Sequence, residues 1–237
     1  MLTWESPVSV MRGVGSAREK ALASLGIRTV GDLLYHVPRG YQCRGNVKTL
    51  SEAAEMARRG EDLPVSLLLT VAAEPQYRMI RRGMSILRFR AFDETGTCEI
   101  TYFNQNYLRD VFHTGGEFRF FGRVSVEGRT VKMSSPIWEA CAPGVVLPGI
   151  VPVYSLRAGL SQKILSGLVR DALLGIGNHL PETIPPEVVR NQSLCTLSYA
   201  IKNIHFPEDG EALTRARRRL IFEEYFTFGL AVASATQ

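Results

Sequence analysis

Leu87-Arg88-Phe89-Arg90-Ala91-Phe92-Asp93-Glu94-Thr95-Gly96-Thr97-Cys98-Glu99-Ile100-Thr101-Tyr102-Phe103 is the stretch that decides the architecture. Leu87, Phe89 and Ala91 alternate with polar residues, as do Cys98, Ile100 and Tyr102, and Glu94-Thr95-Gly96 lies between the two runs as a turn. That is the period-2 pattern of two strands with one buried face. Upstream, Val65, Leu67, Leu69 and Val71 alternate in the same way, and downstream Phe118/Phe120 and Val131/Met133 continue the pattern. Gly115-Gly116 and Glu127-Gly128-Arg129 supply the remaining turns.

Five short strands, with a helical turn near Asn104 to Phe112 between the third and fourth, fit an OB-fold. The flanks are helical. Val14, Ala17, Ala21, Leu22 and Leu25 recur at helical spacing behind Ser16 as a candidate N-cap; Thr29 caps a second short helix through Leu34; and Leu50 to Arg59 reads as a third. On the C-terminal side Leu160, Ile164, Leu165 and Leu168 to Leu173 form an apolar face. A loop follows at Pro181, Pro185 and Pro186, then a long helix over 212–233. The expected fold class is therefore α+β, a five-stranded OB-fold β-barrel flanked by N-terminal and C-terminal helical segments. The expected divisions are 1–62, 63–148 and 149–237, in keeping with a chain too long for one small core.

The chain carries a net charge of +5, and arginine outnumbers lysine 23 to 5. Guanidinium offers forked phosphate contacts and stacks on flat rings, which suggests a polyanionic partner; a GC-rich genome would give the same bias. Cys43, Cys98, Cys141 and Cys195 lie far apart, as do His36, His113, His179 and His205. Neither set has metal-ligand or redox spacing, so buried thiols in a reducing compartment are expected. No leader and no apolar run long enough for a bilayer is visible, so the expected location is cytoplasmic, with no membrane partner.

Strand parity separates core from surface. With Cys98, Ile100 and Tyr102 inward, Phe103 points outward, and Tyr107 follows four residues later on roughly the same side. Arg88 and Arg90 leave the core together, and Tyr77, Arg78, Arg81 and Arg82 precede them in a stretch with no acid between Glu74 and Asp93. Tyr77 and these arginines are candidate phosphate contacts, while Phe103 and Tyr107 are candidate base-stacking residues. A stacked base is worth about 1–3 kcal/mol, comparable to opening a base step, so two aromatics could act as a wedge. The structural alternatives are a barrel-rim Phe103, a packing Tyr107 and a solvated arginine hairpin. Arg215 to Arg219 reads as a solvated helix face. Gly13-Val14-Gly15 with Gly26 to Leu34 resembles a helix-hairpin-helix unit, which would bring the Gly13 and Gly15 amides near a phosphate; the alternative is a purely structural turn.

Five phrases occur in order: 26–41 (GIRTVGDLLYHVPRGY), 103–108 (FNQNYL), 153–163 (VYSLRAGLSQK), 203–209 (NIHFPED) and 216–224 (ARRRLIFEE). Together they resemble the N-terminal region of the RecG branched-DNA helicases, over nearly the whole chain. The resemblance implies a wedge domain whose OB-fold grips replication forks and Holliday junctions in DNA repair and recombination. It also implies an aromatic pair at Phe103 and Tyr107, and two helicase lobes of the same polypeptide as partners. No Gly-Lys dipeptide and no Asp-Glu-x-His motif is present, so this chain by itself is expected not to hydrolyse ATP. Its own cofactor expectation is none, with ATP and magnesium belonging to the motor lobes. The apolar stretch from Phe226 to Val232 is expected to pack on that motor. The competing expectation is an OB-fold accessory module that binds a protein rather than DNA; a small-molecule enzyme finds no nucleophile, base and orienting group at recognisable spacing.

Overall fold

The structure is a computed structural model and describes residues 2–142, 144–177 and 180–235. A 3-10 turn at Val8–Val10 precedes α1 (Ser16–Ala23) and α2 (Val30–Tyr35); β1 (Gly40–Cys43), β2 (Val47–Lys48) and α3 (Leu50–Arg58) follow. Next come β3 (Val65–Val71), β4 (Gln76–Arg81), β5 (Met84–Asp93) and β6 (Gly96–Phe103), then a 3-10 turn at Asn106–Asp110. The strands resume as β7 (Glu117–Gly122), β8 (Val124–Glu127), β9 (Thr130–Ser134) and β10 (Ile137–Ala140). The rest comprises β11 (Ile150–Val153), α4 (Gln162–Ile176), α5 (Pro186–Asn191), α6 (Leu197–His205) and α7 (Gly210–Ala235).

Two compact units result, one over 44–149 and one joining the residues up to 43 with those from 150 onward. Sequence alone divides the chain at 62 and 148. The first boundary differs because α3 buries Leu50, Ala53 and Ala54 in the core of the sheet. The N-terminal and C-terminal helical segments also form one body, since Leu22, Leu33 and Leu34 share a core with Leu165, Val169 and Leu197, and β1 pairs antiparallel with β11.

In the 44–149 unit the strands run β10-β7-β3-β5-β6-β9-β8, with β2 added on β3 and β4 on β5, a nine-stranded sheet. The five expected strands fall within β3, β5, β6, β7 and β9. Strand β4 escaped the pattern because all six of its residues are exposed and nothing alternates. Inside, Phe89 and Phe112 lie 4.7 Å apart and Phe112 and Phe118 4.9 Å, the latter edge-on, as aromatic quadrupoles prefer. Among the described residues two buried arginines of this unit, Arg44 and Arg119, both pair with Glu139. Arg119 is buried, with its Nε donating to Glu139 Oε2 at 2.8 Å and its NH2 to the Pro148 carbonyl at 2.8 Å, so its charge is paired and its donors are used. Burial pushes the Cys98 thiol up to about 12, so it packs as an inert hydrophobe. Cys43 is exposed and Cys141 and Cys195 are half-buried, so only Cys98 matches the expectation of buried thiols.

In the helical unit, Thr29 and Asp32 form a reciprocal capping box that satisfies first-turn amides of α2. A Cβ on Gly31 would lie 2.6 Å from the Trp4 ring, so that position needs glycine to let the indole pack. Ser16 is not the N-cap of α1; Gly15 is, in extended geometry, and Ser16 is the first helical residue. Pro186 likewise leaves the expected loop to head α5, where its missing N–H costs nothing. His205 is buried, with Nδ1 2.9 Å from the Tyr154 hydroxyl and Nε2 2.8 Å from the Leu34 carbonyl. That geometry holds a neutral ring: Nε2 donates to the carbonyl and Nδ1 accepts from the phenol. His179 lies outside the described residues.

The basic run on α7 differs most from expectation. Arg219 is fully buried rather than solvated, donating to Glu223 at 2.7 Å and to Glu182, while Tyr35 donates its hydroxyl to the same Glu223 at 2.7 Å. Arg215 and Arg217 lie over the rings of Tyr199 and Tyr41. Helical periodicity places one member of any such run against the neighbouring helices. Among the described residues no helix is long and apolar enough to cross a membrane, and no group of His, Cys, Asp and Glu is arranged to hold a metal ion.

Candidate nucleic-acid interface

The candidate residues of the sheet gather on β4, β5, β6 and the turn after β6. Antiparallel register sets Arg90 opposite Glu99, Arg88 opposite Thr101 and Ile86 opposite Phe103, with Arg78 of β4 opposite Ile86. Directly paired residues share a face. Arg78, Arg88, Arg90 and Phe103 therefore stand on one outer face, while Leu87, Phe89 and Ala91 fill the core behind it. Parity alone would put Arg81 on the opposite face from Arg78. A bulge between Met79 and Arg81 shifts the register, so Arg81 pairs with Met84 and rejoins Arg78. Arg82 and Gly83 make the connecting turn, the glycine supplying a φ of 81°.

The face is not purely basic. Glu99 approaches Arg88 at 3.6 Å, a pair exposed enough on the arginine side to be weak. Tyr77 pairs with Leu87 and so sits on the opposite face from the arginines, its hydroxyl accepting from Asn106 Nδ2 at 3.3 Å.

Phe103 ends β6 and is 40% exposed; Tyr107, in the following 3-10 turn, is 66% exposed. The turn is anchored from beneath by the buried Leu108 and Phe112. Its sides are tied to β5. Asn104 adopts a φ of 53°, its N–H donates to the Ser85 carbonyl at 2.9 Å, and its Oδ1 accepts from the Ser85 N–H at 2.8 Å. The Ser85 hydroxyl then donates to Asn106 Oδ1 at 2.8 Å. Asn tolerates the left-handed region better than most residues because its short amide bonds locally. Sequence reasoning missed Ser85, Asn104 and Asn106; the available signal was Asn-Gln-Asn between a strand and a turn.

Gly13 and Gly15 lie in the helical unit. Gly13 has a φ of 83° and its carbonyl accepts from Arg18 NH1; Gly15 caps α1 with open space around a notional Cβ.

Residues 7–176 match the family described as the RecG wedge domain. This chain belongs to the RecG wedge-domain family. Among curated relatives, the ATP-dependent DNA helicase RecG of Thermotoga maritima is 28% identical over 94% of this chain and 28% of its own length. That of Bacillus subtilis is 26% identical over 95% of this chain and 32% of its own length. A solved RecG structure, bound to a three-way DNA junction, superimposes with a TM-score of 0.83 and 26% identity, covering 98% of this chain and 31% of that one. The chain thus spans about a third or less of the RecG proteins it matches, and the wedge-domain match takes in all of the β4–β6 face described above.

Proposed function

We propose that this chain is the branch-engaging module of a RecG-type helicase, binding replication forks and Holliday junctions through the β4–β6 face. The observation that carries the reading is an exposed aromatic pair, Phe103 and Tyr107, on a turn braced by Ser85, Asn104 and Asn106 beside Arg78, Arg81, Arg88 and Arg90. Phosphates need the cations, and unstacked bases need the rings. Arg82 adds charge at the hairpin turn, and Tyr77 contributes chiefly by holding Asn106. Gly13 and Gly15 are a secondary candidate contact.

We read the sheet as an OB barrel. The stretch 117–127 pairs with β3 through its first half and with β9 through its second, with Arg123 alone between β7 and β8, as one bent fourth strand would. ATP and magnesium would act in helicase lobes of the same polypeptide, consistent with the share of the relatives that this chain spans. A partner-protein reading draws on Ile221, Tyr225 and Phe228, all exposed on α7; within the present reading, those lobes are the partner.

Fluorescence anisotropy against a three-way fork and an equal-length linear duplex, at two salt concentrations, tests the proposal. The chain should prefer the fork, and Phe103→Ala/Tyr107→Ala should lose that preference by about ten-fold or more. Equal binding to both substrates that the double variant leaves untouched would refute it.

A further inference from the structure

The hairpin joining β4 to β5 carries an apolar pair that the wedge reading leaves unused. Met79 is 69% exposed and Ile80 56%. Strand β4 pairs with β5, and all six of its residues are exposed. An exposed edge strand with two adjacent large apolar residues invites aggregation unless something uses them. The bulge is built around this pair. Met79 pairs with Ser85 and Arg81 with Met84, so Ile80 is the extra residue, put out of the ladder between them. The same shift brings Arg81 onto the Arg78 face, and Arg82 follows in the turn. In sequence the two apolar residues are thus bracketed by three arginines, Met79 lying on the face opposite Arg78 and Arg81, with no acid between Glu74 and Asp93.

That combination selects its occupant by charge. A protein groove that accepts Met79 and Ile80 would also have to neutralise three arginines, whereas a DNA duplex offers phosphates on both sides of each base step. Met and Ile both belong to the apolar side chains used as wedges at base steps. The hairpin is also fixed relative to the aromatic turn. Its Tyr77 accepts from Asn106, and its Ser85 bonds to both Asn104 and Asn106.

We infer that the β4–β5 hairpin is a second DNA-engaging element, a pin whose Met79 and Ile80 enter a groove of a duplex arm while Arg78, Arg81 and Arg82 hold the flanking phosphates. It rests on the DNA reading above and adds a contact to duplex beside the stacking contact at the branch.

Met79→Ser/Ile80→Ser tests it, because both side chains are exposed and their removal leaves the core intact. The readouts are anisotropy on a fork across a salt series and the fluorescence of 2-aminopurine placed in the duplex arms. The expected result is fork binding weakened about ten-fold with an unchanged salt slope, since no phosphate contact is lost, together with loss of the 2-aminopurine signal. Arg78→Ala/Arg81→Ala should instead lower the slope by about 2. Wild-type affinity and signal in the Met79/Ile80 variant, with fork preference still lost in Phe103→Ala/Tyr107→Ala, would overturn the pin and leave the wedge reading standing. If the serine, arginine and aromatic variants all bind as wild type, the DNA reading falls with it.

Discussion

Asn104 is the residue on which presentation of the aromatic pair turns, and its two contributions can be separated by substitution. It sits at a φ of 53° directly after Phe103, and its side-chain oxygen takes the Ser85 N–H at 2.8 Å. Asn104→Gly keeps the left-handed backbone free of strain but strands the Ser85 N–H. Because glycine also opens room for water, the cost falls at the lower end of the range for an unsatisfied donor, about 1–2 kcal/mol. Asn104→Ala strands the same donor and adds the Cβ penalty of the left-handed region, about 1 kcal/mol more, for a total of about 2–3 kcal/mol. Urea unfolding would be followed by Trp138, which packs on the sheet core, in a Trp4→Phe background that silences the other unit. Fork anisotropy on the same proteins should fall in the same order. Equal midpoints for the glycine and alanine variants would show that backbone strain is not what Asn104 relieves. Unchanged fork binding in both would show that the turn does not set the aromatic geometry.

Two further expectations concern the helical unit. Arg219→Met keeps the packed stem but leaves Glu223 buried without its cation; Tyr35 and Thr183 still donate to that carboxylate, and Glu182 is partly solvated, so the loss should be about 3 kcal/mol, read from urea midpoints by Trp4 fluorescence. A loss below about 1 kcal/mol would mean the cluster contributes little. Burial lowers His205 to about 4 against an ordinary 6.5, with its hydrogen bond to Leu34 only partly opposing. The folded state therefore keeps the ring neutral while the unfolded chain takes up a proton below pH 6.5. The associated stability is full above that pH and is lost as pH falls toward 4, by up to about 3 kcal/mol. His205→Gln should flatten the dependence between pH 7 and 5, and an imidazole titrating near 6.5 in the folded protein by NMR would sink the assignment.

Sequence alone determined what depends on neighbours along the chain. The alternation of Leu87, Phe89 and Ala91, the outward Phe103, the capping residue Thr29 and the helix from Leu50 all follow from a repeat of two or 3.6 residues, and the structure has each of them. The five phrases carried the family as well, because order and identity survive without geometry. Long-range pairing decided the rest. Strand β4 exists because β5 offers it an edge, and its exposed residues carry no period to read. Arg81 changes face because one residue is put out of a ladder, which no pattern of polarity records. Arg119 looks like a surface cation among phenylalanines until Glu139 and the Pro148 carbonyl close around it, and Arg219 looks like part of a solvated run until Glu182 and Glu223 meet it. Glu139, Pro148 and Glu182 lie tens of residues away, and only Glu223 is a neighbour on the same helix. A charge is buried or exposed according to whether its distant partner arrives, and only the tertiary fold brings it.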